Sequence, residues 1–136
     1  MIAYLLHTNA VIALLGRKSD ALVNRVLATE QGRIGLSAVV MHELYFGAQK
    51  STKVAHNLET LRLLVADLPI LEFDRNDAFV SGEIRASLAA KGTPIGPYDV
   101  LIAGQARARE LVLITNNTGE FNRVAGLSVE DWTQST

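Results

Sequence analysis

Four short stretches of this 136-residue chain carry side chains that could do chemistry together. His7-Thr8-Asn9 follows the first apolar run. Glu43 lies within residues 37–44, Asp99 follows Gly96-Pro97-Tyr98, and Asn117 and Glu120 lie in the polar stretch 115–121. Each comes at or near the end of a strand-like run, which is where ligands collect in α/β proteins. Carboxylates gathered without matching arginines repel one another. A divalent cation relieves that repulsion, and Mg2+ or Mn2+ prefers such oxygen donors with several waters retained. An ion held this way activates a bound water and neutralises a phosphodiester, the requirement for hydrolysing a nucleic-acid backbone.

Taken singly, each residue has a plainer explanation. Asp99 reads as a first-turn acid stabilised by its helix dipole, worth about 0.3–1 kcal/mol. Asn116-Asn117 is a turn signal, Thr8-Asn9 is a helix-capping pair, and Glu120 is within reach of Arg123. His7 alone reads as a hydrogen-bonded histidine at the edge of the core. Glu43 alone reads as a solvated helix residue, but its neighbours Val39, Val40, Leu44 and Phe46 predict a mostly buried helix, where a free carboxylate is costly. The ordered combination carries more than any member.

The elements that must position these residues follow from periodicity and breakers. Residues 2–6 read as a buried strand and 9–15 as a helix ended by Gly16. Ser19 or Asp20 caps a helix running to about Thr29, and 33–37 is a short strand whose Ser37 caps the helix 39–49. Ser51 or Thr52 starts a helix with Leu58, Leu61, Leu64, Val65 and Leu68 on one stripe, stopped by Pro69. Residues 70–73 form a strand. Asp74 caps a long helix with Ala78, Phe79, Ile84 and Leu88 inward, closed by Lys91-Gly92. A loop at 93–97, a helix at 98–109, an apolar strand at 111–115, a polar turn at 116–122 and an edge-like strand at 127–132 complete the chain. Strands alternating with helices predict an α/β fold, a three-layer α/β/α sandwich on a largely parallel central sheet, in a single domain over 1–136. Parallel connections bring positions 7, 99 and 117 to one sheet edge, with Glu43 leaning in from a helix.

Composition narrows the function classes. The formal net charge of −1 excludes a broadly basic, nucleic-acid-coating surface, though not an enzyme acting on nucleic acid through a local rim. The absence of cysteine removes disulfides and thiolate metal sites and fits a cytoplasmic location. No apolar stretch is long enough for a membrane span, and the first run lacks the marks of a signal peptide. Arg85 and Lys91 are candidates for an RNA rim beside the 93–97 loop, against an ordinary solvated face.

The run LLHTNAVIALL (5–15), the segment SAVVMHELYFGAQKS (37–51) and the segment GTPIGPYDVLIAGQARARELVLITNNTGEFNRVAGLSVEDW (92–132) resemble the PIN-domain ribonucleases. More narrowly they resemble VapC-type toxins of type II toxin–antitoxin pairs. The resemblance covers nearly the whole chain and implies Mg2+- or Mn2+-dependent endoribonuclease activity, with tRNA or another structured RNA as target. It also implies a homodimer and a small antitoxin whose C-terminal tail covers the acidic pocket. By resemblance, the metal ligands fall on His7, Glu43 and Asp99 and the fourth polar position on Asn117. Thr8, Asn9 and Glu120 are candidates for ordering water or substituting at that fourth position.

The chain departs from the family pattern at His7, where an Asp stands before Thr-Asn, and at Gly119, where a basic residue often precedes Glu-Phe. Replacing a ligand carboxylate by imidazole drops the site from three formal negative charges to two. Mg2+ binds imidazole poorly, whereas Mn2+, Ni2+ or Zn2+ tolerates it better. The expectation is weakened Mg2+ binding and slow or absent RNA cleavage. The competing function is a non-catalytic PIN-fold module that binds antitoxin or RNA. A phosphoaspartyl phosphatase is disfavoured because it needs Asp-x-Asp after the first strand, and dinucleotide binding because no Gly-rich turn follows it.

Overall fold

The computed structural model describes residues 1–134. In chain order the elements are β1 (Tyr4–Leu6), α1 (Thr8–Leu15), α2 (Asp20–Ala28), β2 (Ile34–Ser37), α3 (Ala38–Gln49), α4 (Val54–Asp67) and β3 (Ile70–Leu71). There follow α5 (Arg75–Ala90), α6 (Pro97–Ala108), β4 (Val112–Ile114), α7 (Thr118–Phe121) and β5 (Ser128–Glu130). The strands form one sheet in the order β3-β2-β1-β4-β5. All four pairings are parallel, with Tyr4 beside Ile34 on one side and beside Val112 on the other.

That order dictates where a site can form. From β1 the chain winds outward through β2 to β3, then crosses back to lay β4 against the other side of β1. Right-handed crossovers therefore place α1–α4 on one face and α5–α7 on the other. The reversal of direction falls between β1 and β4, the position beyond the strand ends where a sheet of this kind forms its crevice. His7 leaves β1 at that point, and Thr115 leaves β4.

The core is the buried side of this sandwich. Leu5, Leu6, Leu36, Leu113 and Ile114 come from the strands, packed under Val11, Val40, Ile102 and Phe121 from the helices. The closest helix pair is α5 against α6. A Cβ added to Gly104 would fall 2.4 Å from the Cβ of Ser81, so glycine is what permits the contact. Among the described residues no helix is long and apolar enough to cross a membrane.

Three expectations about local structure are corrected. The inward stripe of α5 is Asp77, Ser81, Ile84 and Leu88, while Ala78 is exposed and Phe79 is 73% exposed. A polar residue takes the inward place because its neighbours satisfy it. The helix after Ser51 begins only at Val54, with Lys53 as its uncapped entry, because the Ser51 hydroxyl donates back to Ala48 O (2.7 Å) and closes α3 instead. The helix α3 is not buried all round: Val40, Met41, Leu44 and Ala48 face the core, and Tyr45 and Phe46 are exposed. The remaining elements match the sequence reading within a few residues. Ser19 and Ser37 cap α2 and α3 as expected, accepting from Leu22 N (3.2 Å) and Val39 N (3.0 Å).

Candidate active site

His7 is the first residue beyond β1 and the entry residue of α1, and it is 6% exposed. The backbone places its ring over the crevice, where Phe121 packs edge-on against it with centroids 4.8 Å apart. Its Nε2 lies 2.8 Å from Asp99 Oδ1, and its Nδ1 lies 3.0 Å from Thr115 Oγ1. The next residue, Thr8, donates its hydroxyl to Glu43 Oε1 at 2.8 Å. Adjacent residues at the end of β1 therefore reach the two acids, one from α6 and one from α3. The approach of those helices is visible one position earlier, where the rings of His42 and Tyr98 lie 5.3 Å apart.

Thr115 is the hub on the β4 side. Its hydroxyl donates to Asn9 Oδ1 (3.2 Å) and accepts the Asn117 N–H (3.0 Å). The Asn9 amide donates to Asn116 Oδ1 at 2.7 Å. Asn117 donates its side-chain amide to Glu120 Oε2, and Glu120 Oε1 accepts the Gly96 N–H at 3.1 Å. The structure thus brings together His7, Thr8, Asn9, Glu43, Asp99, Asn117 and Glu120. Sequence reading did not single out Thr115, and its only signal was its place at the end of the most apolar strand. Phe121 and the Gly96 amide carried no polar signal at all.

His7 therefore sits between the Asp99 carboxylate on α6 and the Thr115 hydroxyl, with both ring nitrogens engaged. Neither Glu43 nor Asp99 is paired with a lysine or arginine among the described residues.

The donor set is that of a hard, partly hydrated cation. Two carboxylates, with amide and hydroxyl oxygens behind them, suit Mg2+ or Mn2+ held mainly through water. They do not form a closed cage: among the described residues no three His, Asp or Glu side chains are grouped to hold an ion together. Both nitrogens of His7 are committed to Asp99 and Thr115, so the ring holds Asp99 rather than offering a free lone pair.

The acidic surface continues into a groove of about 470 Å³ lined by Ile12 and Leu15 of α1, Glu43, Leu44 and Gly47 of α3, and His56 and Leu61 of α4. Of the two basic residues considered for an RNA rim, Arg85 lines a depression with Pro94, Ile95 and Pro97, and Lys91 is the exposed C-cap of α5. Arg107 and Arg109, by contrast, are occupied by Glu83 and Asp77.

Comparison with known proteins gives a consistent set of relatives. The PIN domain family matches residues 4–127. The chain is 42% identical over 132 residues to the tRNA(fMet)-specific endonuclease VapC of Shigella flexneri, covering 97% of this chain and 99% of that protein. It is 39% identical to the protein of the same name from Salmonella typhimurium, with the same coverage. The crystal structure of DNA-bound VapBC from Salmonella typhimurium superposes with a TM-score of 0.90 at 41% identity, covering 97% of this chain and 99% of that one.

Proposed function

This chain belongs to the PIN-domain family, and on that premise we propose that it is a VapC-type toxin, an endoribonuclease of a type II toxin–antitoxin pair that depends on Mg2+ or Mn2+. One observation carries the proposal. Glu43 and Asp99, 56 positions apart in the sequence (99 − 43), are drawn together by Thr8 and His7, the two residues that follow β1, and among the described residues no arginine or lysine pairs with either acid. The proposed substrate class is tRNA, the class named for the Shigella and Salmonella relatives.

Glu43 and Asp99 would hold the metal. When bound, such an ion supplies an activated water and screens the phosphate charge. The protein's own residues do the rest. Thr8 fixes the rotamer of Glu43, and His7 fixes Asp99. Thr115 orders Asn9 and the Asn117 backbone along the β4 side. The His7 ring occupies Asp99 Oδ1 and brings no carboxylate of its own, so the ion would meet one acid fewer than with Asp at position 7. Weak Mg2+ binding and slow cleavage are the consequence.

The partner proposed is a cognate antitoxin whose C-terminal tail crosses the acidic crevice; the VapBC structures from Salmonella typhimurium and Rickettsia felis support a partner of this kind. The apolar groove between α1, α3 and α4 opens beside Glu43 and gives that tail a surface to follow. A homodimer in the cytoplasm is proposed with it.

The test is RNA cleavage by the parent chain and by His7→Asp, in Mg2+ and in Mn2+. Restoring the third carboxylate raises Mg2+-dependent cleavage at least about ten-fold, the lower end of what a metal-site partner contributes. The gain in Mn2+ is smaller. Equal activity of the two proteins overturns the impairment by His7. Absence of cleavage by both overturns the nuclease assignment and leaves the non-catalytic module, which the double engagement of His7 favours as the second reading.

A further inference from the structure

We propose that Glu120 is a positioning residue, a strut that holds the loop before α6 and through it Asp99, rather than a ligand or water-ordering group of the metal site. The inference rests on the nuclease assignment above and adds a mechanical role to a residue of the same site.

Residues 93–96 form a loop with no regular structure, yet they aim the N-terminus of α6, where Asp99 stands in the first turn. The last loop residue, Gly96, is the entry residue of α6 and has no side chain with which to cap it. Its N–H is taken by Glu120 Oε1 at 3.1 Å, a charge-assisted bond from a residue 24 positions away. The other carboxylate oxygen of Glu120 accepts from the Asn117 side-chain amide. One carboxylate thus clamps the β4–α7 turn to the α6 entry. Each of its two oxygens accepts an N–H of the protein, and together these bonds fix the orientation of the carboxylate.

The lever from Gly96 to Asp99 is short. A Cβ on Gly96 would lie 3.3 Å from Asp99 Oδ2, so the loop backbone already packs against that carboxylate. A displacement of the loop by a few tenths of an ångström would move Asp99 against the Nε2 of His7. A second tie comes from the same segment: Arg123 Nη1 donates to Pro94 O at 3.2 Å. Phe121, between them, is fully buried and supports the His7 ring from below. Residues 117–123 therefore grip the loop at two backbone atoms and the histidine at one face, and Glu120 is the member that touches the α6 entry.

Reach and charge can be separated. Glu120→Gln keeps the length and one acceptor oxygen for Gly96 but loses the charge, and Asn117 can turn its own oxygen to the new amide. Glu120→Asp keeps the charge but is one methylene short. The measurements are single-turnover RNA cleavage in Mn2+ in the His7→Asp background, Mn2+ binding by calorimetry, and hydrogen exchange of the Gly96 amide in the parent chain. For a strut, Glu120→Gln stays within about three-fold of its background in cleavage and Mn2+ affinity. Glu120→Asp loses about 10- to 100-fold in the cleavage step with KM little changed, and its Gly96 amide exchanges at least ten-fold faster. For a ligand the order reverses: Glu120→Gln loses Mn2+ affinity and cleavage, Glu120→Asp retains them, and the strut is overturned. A Gly96 amide whose exchange is the same in both variants overturns it as well. Exchange and Mn2+ binding are read without turnover, so the strut can fail while the nuclease assignment stands, and the reverse.

Discussion

The molecule places acids in two polar regions and treats them in opposite ways. On α5, Asp77 has a side chain only 1% exposed, and it is fully provided for. Arg109 donates to both of its oxygens, at 3.3 and 2.9 Å, and also to Glu72 O at 2.7 Å. Gln105 adds a contact at 3.4 Å, and Asp74 closes a reciprocal capping box with it. Burial pushes the Asp77 carboxyl up, but the Arg109 guanidinium and the Asp74 backbone outweigh it and hold the carboxyl below its ordinary value. At the crevice, Glu43 and Asp99 are more accessible, and among the described residues their side-chain partners are a threonine hydroxyl and an imidazole. An acid whose charge is matched inside the fold maintains the fold. An acid left without a matching cation on a helix beside the sheet edge is available to something from outside.

The largest effect that could break this contrast is Arg109→Ala. It leaves Asp77 buried among Gln105, the Asp74 cap and apolar neighbours without its cation. Removing one partner of a buried pair costs about 3–5 kcal/mol, and the partial exposure of Arg109 puts the expected loss at the lower end. The urea midpoint reads it. A loss under about 1 kcal/mol, ordinary for a surface pair, would place the two regions in the same class.

Asp99→Asn is the counterpart at the crevice. Cleavage falls at least about 100-fold, or 2.7 kcal/mol in the barrier, which is more than the loss of an indirect partner causes. Stability changes by less than about 0.5 kcal/mol, since an amide oxygen still accepts from His7. The two measurements belong on the same protein sample, with cleavage followed in the His7→Asp background. A fold destabilised as much as by Arg109→Ala would make Asp99 a structural acid and remove the contrast.

The two regions were also unequally legible in the sequence. The crevice could be read because its parts obey chain-local rules: His7 follows a strand end, Asp99 opens a helix, Glu43 lies in the second turn of the helix after β2, and parallel connections force the strand ends onto one edge. The bond from His7 to Asp99 spans 92 positions and was foreseeable only as proximity; its partner Thr115 was hidden at the end of an apolar strand. The node around Asp77 was missed because helical periodicity counts apolar residues. It therefore turned Phe79 inward, whereas pairing with Arg109, 32 positions on, made a carboxylate the better core residue. The late start of α4 was missed for a similar reason: Ser51 could cap either neighbour, and only the turn geometry after α3 decides. Sheet order and site edge are consequences of connectivity, while buried ion pairs depend on side chains that meet only after folding.

The smallest expected effect sharpens the contrast by pH. The Asp77 carboxyl is held below its ordinary value in the fold, so at acidic pH the unfolded chain binds the proton first and stability rises with pH. The contribution is present in full above the unfolded value near 4 and is lost as pH falls through the lower, folded one. Urea midpoints measured from about pH 6 down to about pH 2.5 should stay level and then fall. Asp77→Asn lowers the whole curve because an amide cannot accept both Arg109 bonds, but it flattens the acid limb, since no proton is left to take up there. An acid limb as steep in Asp77→Asn as in the parent would move the linkage to other carboxylates. The structure assigns it to Asp77 because burial and a bidentate guanidinium act there on one group, and among the described residues no other acid combines an arginine bond with a side chain closed to water.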